Sequence, residues 1–173
     1  MSAIDQKFTE LRAAGKKAFI SFVTAGDPSL DLTARVLKIL SDCGAAIGEV
    51  GIPYSDPIAD GPVIQASYTR ALEAGCKLRD IFATVRSVAP ELKMPLASMV
   101  SYSIILRVGA AKYIADAQAA GFSGAIVPDL LIEEAEPLRK LCRERDFSLI
   151  HLVTPTTPAE RMLRIAESSS GFL

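Results

Sequence analysis

At 173 residues, with 19 basic and 20 acidic side chains and half of its residues hydrophobic, the chain suits one domain, residues 1–173, able to bury a sizeable core. The balanced charge excludes a basic nucleic-acid face and an acidic tail. No apolar run is long enough to span a membrane, and Asp5 and Glu10 interrupt any signal-peptide core, so a soluble, cytoplasmic protein is expected.

Residues 3–14 read as an amphipathic helix with Ile4, Phe8 and Leu11 on one face and Gly15 as its stop, placed to cap one end of a sheet. Lys17 to Thr24 has the apolar, β-rich pattern of a strand covered on both faces. Asp27 and Pro28 then suit the N-cap and first position of a helix ending near Gly44. A second strand, 47–52, carries Glu49. Helices from Pro62 to Ala74 and from Leu78 to Val88 follow it, making this the one embellished unit. The third strand is predicted over Met94–Tyr102 and its helix over Ala110–Ala120; the fourth strand over Ser123–Pro128, with a helix starting at Pro137; the fifth over Phe147–Thr154. Thr157-Pro-Ala-Glu160 has the form of a capping box for a further helix, and Gly171-Phe-Leu173 reads as the start of a sixth strand.

Strand, loop and helix alternate throughout, the mark of a parallel α/β protein. A doubly wound sheet and an eight-unit barrel both fit that alternation. The absence of a Gly-x-Gly-x-x-Gly turn after the first strand, and an end that falls inside a strand pattern, favour a barrel with about five βα units present. Cys43, Cys76 and Cys142 are odd in number and widely spaced, as packed reduced thiols are, and His151 is the only histidine, so neither a disulfide nor a metal centre is expected.

One stretch concentrates chemistry. Glu49-Val-Gly-Ile-Pro-Tyr-Ser-Asp-Pro-Ile-Ala-Asp-Gly-Pro62 begins as an apolar strand carrying a single acid and breaks into a loop with three prolines and two aspartates. A carboxyl group on such a strand is costly to bury as an anion, so it holds its proton tightly and becomes a general acid or base near neutral pH. On pattern alone, Glu49 also fits a solvated strand end, Asp60 before Gly61-Pro62 fits simple turn chemistry, and Asp56-Pro57 does too.

The same stretch, extended to Gln65, resembles the signature of the tryptophan synthase alpha chain family. Phe22-Val-Thr-Ala-Gly-Asp-Pro28, Val127-Pro-Asp-Leu130, Thr154-Pro-Thr-Thr-Pro-Ala-Glu-Arg161 and Ser169-Ser-Gly-Phe172 support it, in the family's order. The resemblance implies a (β/α)8 TIM barrel of the ribulose-phosphate-binding type, of which about the first two thirds is present. It also implies cleavage of indole-3-glycerol phosphate to indole and glyceraldehyde 3-phosphate, with Glu49 and Asp60 as the catalytic acids. No cofactor belongs to the chain itself, since pyridoxal phosphate belongs to a partner beta chain. The partner-facing loop includes Pro53, Asp56 and Pro57.

With Glu49 turned inward, strand parity places Ile47 and Gly51 on the same face. Phe22, Val100 with Tyr102, Ile126 with Pro128, and Ile150 with Leu152 then complete an inward set. Phe22, Val100, Tyr102, Ile126 and Leu152 are the expected ring-binding residues, although ordinary core packing explains the apolar ones equally. Asp129 fits either a site residue or a helix cap, His151 should face the helix layer, and Thr156-Thr157 should cap the next helix. The chain departs from the family at Ser103-Ile-Ile-Leu106, where asparagine and proline usually follow, and at Leu131, where proline is common. The family's phosphate-binding backbone follows later strands, so the chain alone is expected to have the acids without the phosphate grip. The alternative is a non-catalytic module that binds and activates a beta chain.

Overall fold

A computed structural model describes residues 1–173. In chain order the elements are α1 (Ala3–Ala13), β1 (Ile20–Thr24), α2 (Leu30–Asp42), β2 (Ile47–Gly51), α3 (Pro62–Glu73), α4 (Leu78–Val88), β3 (Leu96–Met99), α5 (Tyr102–Val108), α6 (Ala110–Ala120), β4 (Phe122–Ile126), α7 (Glu136–Glu144), β5 (Ser148–Ile150) and α8 (Ala159–Ser168). The five strands are parallel and hydrogen-bonded in sequence order, β1-β2-β3-β4-β5. A doubly wound sheet reverses direction at a switch point and carries helices on both faces. Strictly sequential order is that of a barrel wall, so the doubly wound alternative is excluded.

Period-two alternation divides the strand residues between two cores. Val50, Leu96, Ala125 and Leu149 face the larger one, shared with Leu37 of α2, Ile81, Phe82 and Val85 of α4, Ile114 of α6 and Leu138 of α7. Ile47, Ala97, Ile126 and Ile150 face the smaller, inner one. The inner core is plugged by Ile4 of α1, which is fully buried there. Helix α1 is held by a reciprocal cap in which the Ser2 hydroxyl accepts from the Asp5 N–H and the Asp5 carboxylate accepts from the Ser2 N–H. The outer core also contains Tyr113, whose hydroxyl donates to Ser98 Oγ at 2.9 Å, so its buried oxygen is satisfied.

Several elements differ from expectation, each for a tertiary reason. Strand β3 ends at Met99 rather than Tyr102, and α5 starts at once. The turn is made by Asp129, whose carboxylate accepts from the Tyr102 N–H at 2.8 Å and the Ser101 hydroxyl at 2.7 Å. Asp27 does not cap α2. Ser29 does, accepting from the Leu32 N–H, while Asp27 forms a two-pronged pair with Arg70 of α3 at 2.9 and 2.6 Å. Helix α8 lacks the expected capping box: Thr157 Oγ1 accepts from the Thr154 N–H, and the cap position is Pro158. Residues 171–173 form no sixth strand. Instead Ser170 donates its N–H to the Leu149 carbonyl at 2.9 Å, and Phe172 packs on Phe8 with ring centroids 5.8 Å apart. No helix is long and apolar enough to cross a membrane.

Candidate active site

The polar groups converge at the C-terminal ends of β2, β3 and β4, where a parallel barrel wall opens into its loops. Register fixes the direction of Glu49. It lies on one rung with Phe22 of β1 and Ala97 of β3. Ala97 and Ile47 belong to the inner core and Val50 to the outer one. Glu49 therefore faces the barrel interior. Its carboxyl group is half-buried, and burial raises its pKa above the ordinary glutamate value. No counter-charge or hydrogen bond offsets that cost, so the group holds its proton more tightly than a solvated glutamate.

Two residues further along the same face, β2 ends in Gly51. A Cβ there would lie 2.6 Å from Phe22 Cζ and 2.8 Å from the Tyr68 hydroxyl, so glycine lets a ring edge and a phenol close over the strand end. The loop that follows is pinned at both sides. The Asp60 N–H donates to the Pro57 carbonyl at 3.1 Å, and Gln65 Nε2 donates to the Asp60 carbonyl at 2.8 Å. Helix α3 then begins with Pro62 as its first residue and docks through a Thr24–Ser67 hydroxyl contact of 2.7 Å and the Arg70–Asp27 pair.

Between this loop and the ends of β3 and β4 lies a cavity of about 180 Å³. It is lined by Ile52, Tyr54, Asp56, Pro57, Ile58, Ala59, Asp60, Tyr68, Met99, Val100, Ser101, Pro128 and Asp129. Three carboxylates border it and no lysine or arginine does. Burial raises the Asp60 pKa, and burial together with the Asp60 charge pushes the Tyr68 phenol far up.

The structure brings some of the expected residues together and separates others. Asp56, Pro57 and Asp60 line the cavity. Glu49 and Phe22 lie on the inner face of the wall without bordering it, and Ile126 is in the inner core. The β3 assignment is corrected by one residue. Gly51, Met99 and Ile126 share a rung, so Met99 faces inward, whereas Val100 packs in the outer core and only reaches the cavity edge. Tyr102, on α5, does not line the cavity, and Ser101 takes the place expected for it. Leu152 lies beyond the end of β5, outside the cavity and 46 % exposed. Pro53 is buried, whereas Ile58, further along the same loop, is 91 % exposed.

Asp129 supports the start of α5, accepting from the Tyr102 N–H and from the hydroxyl of the N-cap Ser101, and borders the cavity as well. His151 is buried, with its ring 3.5 Å from the Ser168 hydroxyl on the helix side, and burial lowers its pKa. Met99, Ser101, Tyr54 and Tyr68 were not expected in the site. A signal for Tyr68 exists in the sequence: it shares one helical face with Ser67 and Ala71, a short way past the Asp60 loop.

The sequence matches the family model described as "Tryptophan synthase alpha chain" over residues 8–173. A tryptophan synthase alpha chain of Rhodopirellula baltica is 55 % identical over 176 residues; the match takes in 100 % of this chain and 63 % of that relative, so the chain spans under two thirds of the relative's length. Among solved structures, the tryptophan synthase alpha subunit of Legionella pneumophila superposes with a TM-score of 0.93 at 34 % identity, covering 100 % of this chain and 68 % of that one. A tryptophan synthase complex from Pyrococcus furiosus superposes at 0.85 with 38 % identity, covering 88 % and 63 % respectively. The five-stranded wall thus corresponds to part of the barrel in these proteins.

Proposed function

Because the chain belongs to the tryptophan synthase alpha chain family, we propose that its residues form the acid–base half of a lyase site. The lyase cleaves indole-3-glycerol phosphate to indole and glyceraldehyde 3-phosphate in tryptophan biosynthesis, in the cytoplasm. The observation that carries this reading is an inward-facing Glu49 with a raised pKa and no partner. Breaking the bond from indole C3 to the side chain requires a proton at C3 and loss of a proton from the side-chain hydroxyl as its carbon becomes an aldehyde. One carboxyl group can do both, giving its proton to C3 and taking one from the hydroxyl, which restores it. Asp60 accepts the ring N–H, whose nitrogen gains positive charge as C3 becomes tetrahedral. Phe22, Met99 and Ile126 supply the apolar wall against the ring. No step calls for a cofactor in this chain.

The cavity offers a phosphate dianion three aspartates and no cation, so the 173-residue chain by itself is expected to turn over little substrate. Ile58, almost fully exposed at the tip of the loop beside Asp56, fits a role in docking a pyridoxal-phosphate beta chain. These two features also support a second reading, a module that binds and activates such a partner without catalysis. Assays of indole-3-glycerol phosphate cleavage with a beta chain present separate the two. Under the lyase reading, Glu49→Gln and Asp60→Asn each reduce whatever cleavage is seen by at least about 100-fold while the beta chain is still retained in pull-down, and Asp56→Ala weakens retention. Full cleavage by Glu49→Gln would remove the lyase reading.

A further inference from the structure

The loop from Pro53 to Asp60 carries two of the acids at the cavity, yet one side chain alone ties it to the rest of the chain by hydrogen bonds. Within the loop, the Ile58 N–H donates to the Asp56 carbonyl at 2.9 Å, the Asp60 N–H to the Pro57 carbonyl at 3.1 Å, and the Ser55 hydroxyl to the Asp56 carboxylate at 2.6 Å. From outside comes only the amide of Gln65. Its Nε2 donates to the Asp60 carbonyl at 2.8 Å and to the Pro57 carbonyl at 3.4 Å, so its two N–H groups meet two loop carbonyls. Gln65 is the fourth residue of α3, whose N-cap, Gly61, has no side chain with which to bind the loop. The helix itself is anchored, through the Thr24–Ser67 hydroxyl contact and the Arg70–Asp27 pair. Gln65 thus joins a fixed helix to a loop with no other tether. Its side chain is exposed, so each bond is individually modest; what the pair supplies is local order. The Asp60 carboxyl feels burial but neither a hydrogen bond nor a counter-charge, so its position follows from where its backbone is held.

We infer that Gln65 is a positioning residue for Asp60, its side-chain amide tethering the loop to α3 so that the Asp60 carboxylate is presented at the cavity. That Asp60 receives the ring N–H rests on the lyase reading above, whereas the tether does not. Charge separates this role from a merely structural one. A side chain that serves the helix is better as an anion and worse as a cation, because the N-terminal turn carries partial positive charge. A side chain that serves as a donor behaves the other way round, since a carboxylate only accepts and an ammonium only donates.

The experiment measures backbone amide hydrogen exchange in the 173-residue chain at neutral pH for Gln65→Glu and Gln65→Lys. In Gln65→Glu the Ile58 and Asp60 amides should exchange about 5 to 10 times faster than in the parent, the weight of one exposed hydrogen bond, while Thr69 to Leu72 within α3 keep their rates. In Gln65→Lys, which restores a donor, the Ile58 and Asp60 amides should stay near the parent rates. Ile58 and Asp60 amides unmoved by Gln65→Glu, or the opposite order with Gln65→Lys the looser, overturns the inference. No substrate enters this measurement, so its failure is distinct from failure of the lyase reading, which the Glu49→Gln assays decide. In the cleavage assays with a beta chain, Gln65→Glu should be slower than Gln65→Lys by a similar factor; equal rates in spite of a loosened loop would overturn the positioning of Asp60.

Discussion

At Glu49 the fold accepts an electrostatic cost. Burial disfavours the charged carboxylate, raising its folded pKa above the unfolded value. For an acid shifted upward, the favourable contribution is that of the neutral form. It is fully present below the unfolded pKa and is lost as pH rises through the folded pKa. Glu49→Gln, which stays neutral, should therefore match the parent near pH 4 and exceed it at pH 7. The gain should be below about 1 kcal/mol, since partial solvent contact weakens the penalty. Denaturant melts at the two pH values check this, and a variant less stable at pH 7 than the parent would mean that Glu49 has a stabilising partner. Gly51, on the same face, is constrained by space. Gly51→Ala puts a methyl group into the Phe22 ring and the Tyr68 hydroxyl, and should cost about 1–3 kcal/mol, read as a lower urea midpoint at unchanged slope.

The boundary between β3 and α5 shows how elements here depend on distant parts of the chain. Asp129 accepts from the first N–H of α5 although it belongs to the loop after β4. Asp129→Ala should cost about 0.5–2 kcal/mol and speed amide exchange at Tyr102 and Ser103 in particular, leaving α6 protected. The site was legible in the sequence where its chemistry is local. β2 and its loop carry Glu49, Asp56 and Asp60 within a short span, so these three acids stand out in the sequence as candidates, and the structure puts Asp56 and Asp60 on the cavity rim. The sequence carries β3 too far because Val100 continues its apolar pattern past the last paired residue, and the group that turns the chain there, Asp129, lies 27 residues beyond Tyr102, whose N–H it accepts. A strand carried three residues too far leaves no cue to parity, which favours Val100 and Tyr102 over Met99 and Ser101. Leu152 failed similarly, since β5 stops at Ile150 and alternation has no force beyond a strand end.

Across the molecule, the alternation of strand and helix specified a parallel α/β wall, and only the strand order decided between barrel and doubly wound sheet. That wall is tied at its base by α1. Ile4 fills the inner core, Ser2 Oγ meets Ser148 Oγ at 2.7 Å, and Asp5 accepts from the Gly171 N–H at 3.0 Å. Ile4→Ala should cost about 2–4 kcal/mol and loosen β4 and β5 together in hydrogen exchange; a loss confined to α1 would show that the plug does not bear on the wall. The proposed proton transfer from Glu49 to indole C3 is tested without any phosphate grip by exchange of the indole C3 hydrogen with deuterium oxide in the presence of the 173-residue chain. Exchange should be faster than in buffer and fall by at least about 100-fold in Glu49→Gln. Equal exchange by the parent chain and Glu49→Gln would contradict it.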